Sequence, residues 1–173
     1  MKRIFWTDGS AVPNPGRGGY AVLENEKPMV LGCGNPVVSG GYLNEKEGEE
    51  TNIQMEGCAI RSALVLAGGE ECEIHTDSEF WKNVLEKWAP GWKANGWKKK
   101  SKGEIANLEL VKEVYGEYEG SKAKLVWERG HAGTRDNELV DRWANVAREG
   151  KEITEEDYVR VEKSAREGRS LHK

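Results

Sequence analysis

Four acidic residues stand where packing alone would favour an uncharged side chain. Asp8 follows the apolar run Ile4-Phe5-Trp6-Thr7, Asp77 follows Ile74-His75-Thr76, Glu56 closes Thr51-Asn52-Ile53-Gln54-Met55-Glu56, and Asp141 falls between Leu139-Val140 and Trp143. The first two end apolar strands, and the other two sit on amphipathic helices. One at a time, such carboxylates are usually caps or solvated charges. Brought together, each close pair would repel by about 4 kcal/mol at an effective dielectric of about 20, so a converged set calls for cations. Oxygen-only donors select hard ions, Mg²⁺ first and Mn²⁺ as a substitute. Two such ions about 3.5–4 Å apart, one activating water and one stabilising the leaving oxygen, would support in-line phosphodiester hydrolysis without a protein nucleophile.

The elements that must position these acids are legible from periodicity. Ile4 to Thr7 reads as a strand that delivers Asp8 at its C-terminal end, before the turn-rich Gly9-Ser10 and Pro13-Asn14-Pro15-Gly16. Gly18–Leu23 and Met29–Cys33 continue it as an antiparallel meander. The aperiodic, acidic stretch from Gly34 to Glu50 reads as a long exposed loop. Thr51-x-x-Gln54 fits a capping box, Met55, Ala59, Ala63 and Leu66 recur at helical spacing, and Gly68-Gly69 stops that helix. Cys72, Ile74 and Thr76 alternate as a fourth strand ending at Asp77. A helix through Phe80, Trp81, Val84, Leu85 and Trp88 is expected to end at Pro90-Gly91. Leu108–Tyr118 is a further helix, Ala123–Trp127 a fifth strand, and Leu139 to Ala147 a last helix. This order predicts an α/β fold with a mixed sheet, an antiparallel hairpin edge joined to strands reached by helical crossovers. If strands one and four are parallel neighbours, Asp8 and Asp77 emerge at the same sheet end, and Glu56 and Asp141 reach in from flanking helices.

A net charge of −4 argues against indiscriminate binding to polyanions, so any such contact must come from local clusters. One exists. From Lys87 to Lys102, Trp88, Trp92 and Trp97 interleave with Lys87, Lys93, Lys98, Lys99, Lys100 and Lys102, with no acid among them. Lysines neutralise phosphates while indole faces pack on sugars or bases, which suits a nucleic-acid groove. The plain alternative is a solvated helix whose tryptophans fill the core, the expected place of Trp81. Cys33, Cys58 and Cys72 are widely spaced and suggest neither a disulfide framework nor a zinc site. The N-terminus runs directly into a short strand without a long apolar stretch, so a cytoplasmic location with no membrane contact is expected, and nothing in the sequence suggests an obligate dimer, so a monomer is expected.

The strings Thr7-Asp8-Gly9-Ser10, Asn14-Pro15-Gly16, Thr51-Asn52 with Met55-Glu56, Thr76-Asp77-Ser78, and Gly130-His131-Ala132-Gly133 with Asn137-Glu138 and Asp141, in that order, resemble ribonuclease H of type 1. Each string is weak alone, and the combination is specific from Met1 to about Ala147. The resemblance implies a ribonuclease H-like fold with a five-stranded mixed sheet flanked by helices. It implies a domain over residues 1–149 with a basic handle near 87–102; residues 150–173, by their charged composition and with Val159 and Val161 out of phase for one helix face, read as a mobile or loosely helical extension. The implied activity is endonucleolytic hydrolysis of the RNA strand of RNA–DNA hybrids by a two-metal-ion mechanism, leaving 5′-phosphate and 3′-hydroxyl ends. By position, Asp8, Glu56, Asp77 and Asp141 match the family's metal-binding carboxylates. His131 matches its loop histidine, which assists proton transfer or product departure; without the family it would read as an inert loop residue. Asn14, Thr51 and Asn52 match contacts to 2′-hydroxyls and the DNA backbone, and an amide both donates to and accepts from a 2′-OH. On their own, Asn14 reads as a turn former and Thr51 as a helix cap. Trp88, Trp92, Lys93, Lys98 and Lys99 are the implied handle contacts. Two departures stand out: Ile53 where bacterial members often have Asn, and Glu79 where they often have Gln, a substitution that leaves an acceptor-only group beside the acids.

Three other readings use some of the same residues. A DNA-directed nuclease of the resolvase or integrase kind would share the acid geometry and differ in cutting duplex DNA. A non-catalytic hybrid-binding module would use the handle and leave the acids without a role. A glycosidase would suit the seven tryptophans, but it needs two carboxylates and usually no metal, so sensitivity to EDTA separates it.

Overall fold

The computed structural model describes residues 2–101, 103–129 and 134–167. Strands β1 (Arg3–Val12), β2 (Arg17–Glu24) and β3 (Lys27–Cys33) form the antiparallel meander, and a minimal hairpin of β4 (Val37–Val38) and β5 (Gly41–Tyr42) follows. Helix α1 (Asn52–Ala67) crosses to β6 (Cys72–Thr76). Then come α2 (Glu79–Asn83), a π-helical turn (Val84–Trp88), α3 (Ala89–Ala94), α4 (Leu108–Tyr118), β7 (Ala123–Trp127), α5 (Arg135–Arg148) and α6 (Glu155–Glu167). The main sheet has the order β3-β2-β1-β6-β7, with β1, β6 and β7 parallel. Strand alternation divides the core. Phe5, Val22 and Ile74 pack with α1, Trp81 and α4 on one face, while Ala21 and Leu23 pack with Leu139, Val140 and Trp143 of α5 on the other.

Pairing sets the site. Arg3 to Trp6 pair in parallel with Cys72 to His75, and two residues further this register sets Asp8 against Asp77. Asp8 does not end its strand, as the turn residues after it suggest; β1 continues to Val12 because β2 pairs with it as far as Val12↔Arg17. Asp8 therefore lies where β1 keeps its antiparallel partner and loses its parallel one.

Helix α1 starts as expected: the Thr51 hydroxyl accepts the Gln54 N–H at 3.1 Å and the Gln54 side chain accepts the Thr51 N–H at 3.3 Å. Gly68, at φ 58°, ends it with its N–H on the Leu64 and Val65 carbonyls. Pro90 does not end the next helix. The Ala89 N–H reaches back to the Val84 carbonyl, and this wider turn carries the chain past the proline into α3. The 34–50 stretch is also more ordered than its composition suggests. The Asn35 side chain clasps the Asn44 backbone, its NH₂ donating to the Asn44 carbonyl at 2.7 Å and its Oδ1 accepting the Asn44 N–H at 2.9 Å, and Glu50 is fully buried.

The segment expected as a flexible extension carries α6. Val159 is exposed and Val161 buried, so the two valines do lie on different faces, but Asp157 and Ser164 share the buried side with Val161. Asp157 accepts from Thr154 and Arg160, Ser164 accepts from Arg142 of α5, and Tyr158 packs edge-on against Trp143 at 4.8 Å. A helix face built on satisfied polar groups leaves no hydrophobic period to read.

Candidate active site

Asp8, from the middle of β1, Glu56, from the second turn of α1, and Asp77, immediately after β6, each offer a carboxylate oxygen within 4.8 Å of the others. Glycine makes this approach possible. A Cβ on Gly9 would stand 2.5 Å from the Glu56 nitrogen and 2.6 Å from the Met55 carbonyl oxygen, and closer still to the Met55 carbonyl carbon. The backbone of α1 thus lies directly on β1 beside Asp8, and this contact brings Glu56 to the sheet. Asp141, on the half-buried part of α5, is outside this close trio, yet its charge acts on Asp8.

Burial first, then the charges of Asp77, Asp141 and Glu56, hold the Asp8 carboxyl well above the usual carboxylate range; the Gly9 N–H, donating at 2.9 Å, opposes this. Burial, followed by Asp77, pushes Glu56 up to about 9. At neutral pH the site therefore retains protons that a cation would displace. The donor set, oxygen only, buried and self-repelling, fits a hard divalent ion.

Glu56 in the unfolded chain loses its proton near its ordinary value of 4.5, whereas the folded metal-free protein keeps it to about 9. Between these values the native state binds more protons than the unfolded one, so stability falls as pH rises. The Tm measured in EDTA is expected to drop between about pH 5 and about pH 8.5, with Glu56→Gln reducing the slope and saturating Mg²⁺ reversing the loss. A Tm that climbs with pH over this range in EDTA would contradict the assigned electrostatics.

The other expected contacts separate into groups. Asn14 and Asn52 are brought together: the Asn52 N–H donates to Asn14 Oδ1 at 3.1 Å, and Asn52 Oδ1 accepts the Ala11 N–H at 2.7 Å. Thr51 caps α1 next to them. Glu79 is exposed in the first turn of α2, two residues past Asp77. Trp88 and Trp92, with ring centroids 6.0 Å apart, join Lys87, Lys98, Lys99 and Lys100 around an open groove of about 630 Å³. Lys93 is elsewhere, paired with Glu119. Trp97 packs on Tyr115, and Trp81 is buried with its indole N–H on the Ile53 carbonyl at 2.6 Å. His131 lies outside the described residues. His75 takes no part in the acid cluster; it stacks on Trp6 at 4.2 Å, with Glu128 and Glu73 at its two ring nitrogens. Sequence reasoning gave no role to Gly9, whose signal was its place beside Asp8, or to Glu50, whose burial has no local signature.

The fold and site define an α/β protein whose central parallel strands carry acids that could hold a metal ion, with a lysine- and indole-lined groove on the same chain. The RNase H family model matches residues 1–149. The ribonuclease H of Acidiphilium cryptum (strain JF-5) is 37% identical over 146 residues, covering 84% of this chain and 85% of that protein. That of Cereibacter sphaeroides (strain ATCC 17025 / ATH 2.4.3) is 38% identical over 148 residues, covering 84% and 95%. The solution structure of the PFV RNase H domain superposes with a TM-score of 0.65 over 86% of this chain and 95% of that one, a likeness of fold at 19% identity. The chain belongs to the ribonuclease H family.

Proposed function

We propose that the protein hydrolyses the RNA strand of RNA–DNA hybrids endonucleolytically, by a two-metal-ion reaction that leaves 5′-phosphate and 3′-hydroxyl ends. The observation that carries this reading is the convergence of Asp8, Glu56 and Asp77 in a family member. Asp8, Glu56, Asp77 and Asp141 would hold Mg²⁺, or Mn²⁺ in its place, and the bound ions would supply a water nucleophile at neutral pH and charge neutralisation at the departing oxygen. The protein's own part is to place the RNA strand over these carboxylates. The amide oxygens of Asn14 and Asn52 are committed to backbone N–H groups, so each presents its NH₂ as a donor to sugar or backbone oxygens. Thr51, which caps α1 beside Asn52, and the exposed Glu79, two residues past Asp77, are assigned the remaining substrate contacts from the family match. The groove of Trp88, Trp92, Lys98 and Lys99 suits a phosphate backbone flanking the cleavage point, whereas Lys93 would have to exchange Glu119 for a phosphate. His131 is assigned proton transfer or product departure from the family match. A monomer acting in the cytoplasm completes the reading; among the described residues no helix is long and apolar enough to cross a membrane.

Matched labelled RNA–DNA hybrid, duplex DNA and duplex RNA test it. Only the RNA strand of the hybrid should be cut, and EDTA should stop the reaction. Cleavage of duplex DNA at a comparable rate would move the protein to the DNA-directed reading, and turnover in EDTA would remove the metals.

A further inference from the structure

Glu50 is fully buried, although glutamate is almost never so unless it is partnered. One carboxyl oxygen accepts the Gly48 N–H at 2.6 Å and the other the Gly18 N–H at 3.4 Å, while the Glu50 backbone carbonyl accepts the Gly16 N–H at 2.9 Å. The side chain fills a slot that only glycine leaves open. A Cβ on Gly18 would stand 2.9 Å from the Glu50 Cβ and 2.6 Å from the Met55 sulfur. Immediately above it, the Asn52 N–H grips Asn14 and the Asn52 side chain grips Ala11. The contacts run between two segments, residues 11–18 and 48–52, and Asn14 and Asn52 lie where those segments meet.

Both flanking elements have closures that do not involve the Glu50 side chain. The β1–β2 hairpin is paired to Val12↔Arg17 without residue 50, and α1 is capped by Thr51 and Gln54. An apolar side chain would seal the slot with less desolvation than a carboxyl group, but without directional hold on two backbone N–H groups.

We propose that Glu50 is a positioning residue for substrate recognition, holding the Asn14 loop against the N-terminus of α1 so that Asn14 and Asn52 present their donors at one spacing to the hybrid backbone. This rests on the reading of Asn14 and Asn52 as substrate contacts. A displacement near 1 Å at such a platform weakens binding long before it unfolds the chain.

The test compares KM and kcat on a labelled hybrid in saturating Mg²⁺ for the wild type, Glu50→Gln, the pair Asn14→Ala with Asn52→Ala, and the combination of all three. Gln keeps the volume and one acceptor but turns an NH₂ toward the second backbone N–H. Glu50→Gln is expected to raise KM about ten-fold with kcat within about two-fold, and to add nothing to KM in the double-alanine background. A KM within about two-fold of wild type overturns the proposal. So does a fall in kcat matching the rise in KM, or an equal increment in both backgrounds, because each marks general loosening instead of positioning. Failure of the substrate-contact reading shows separately, as a wild-type KM for the double-alanine protein alone. If Glu50→Gln does not fold, Glu50→Asp, which keeps both acceptors on a shorter arm, is judged by the same measurements.

Discussion

Asp8→Asn is expected to lower kcat on an RNA–DNA hybrid by at least ~10³-fold while raising the Tm of the metal-free protein. The two effects share one cause. Asp8 is buried among Glu56, Asp77 and the charge of Asp141, an environment that strongly disfavours its ionised form. Asn keeps the shape and can still accept the Gly9 N–H, so the strand is undisturbed and the repulsion is relieved. It also lacks the anionic oxygen that a hard cation requires, and several kcal/mol of charge stabilisation disappear from the reaction at about 1.4 kcal/mol per factor of ten. Hybrid affinity should persist, because the donors and the basic groove are untouched. Opposite movements of stability and turnover exclude misfolding as the explanation. Wild-type turnover in purified Asp8→Asn would remove Asp8 from the machinery, and a lower Tm in EDTA would mean that the cluster is not repulsive.

Gly9→Ala should have the second largest effect, through geometry alone. It adds one methyl group and changes no charge. That methyl group meets backbone atoms of Met55 and Glu56, which cannot rotate away as a side-chain end would. Helix α1 must retreat from β1, and Glu56 retreats with it. Overpacking of this kind costs about 3 kcal/mol, or roughly 6–12 °C in Tm for a chain of this size. A catalytic group misplaced by about 1 Å loses about 100-fold in kcat. Measured together by thermal melting and steady-state kinetics, the loss of activity should persist at temperatures where the variant is fully folded. A variant with wild-type Tm and kcat would show that α1 does not depend on this contact for its placement.

Much of the architecture was legible because its signals are local. The alternation of Cys72, Ile74 and Thr76, the capping pair Thr51 and Gln54, and the glycines after Ala67 each specify a backbone state within a few residues, and all three hold. Signals that depend on remote partners misled. Pro90 is a stop in isolation, but the wider turn from Val84 to Trp88 accommodates it. Lys93 belongs to a basic run by sequence and to Glu119 by folding.

By itself, the sequence determined which acids are available and the order of the elements bearing them, because motif order and local periodicity are properties of the chain, whereas the parallel register that sets Asp8 against Asp77 is a pairing between distant segments that the fold supplies. Only the tertiary structure decided that Glu56 closes on that pair through the Gly9 contact, that Glu50 is buried between two segments, and that α6 docks through Asp157, Val161 and Ser164. Burial and hydrogen-bond partnership arise between segments distant in the chain, so the residue types alone do not reveal which polar groups will be enclosed and satisfied.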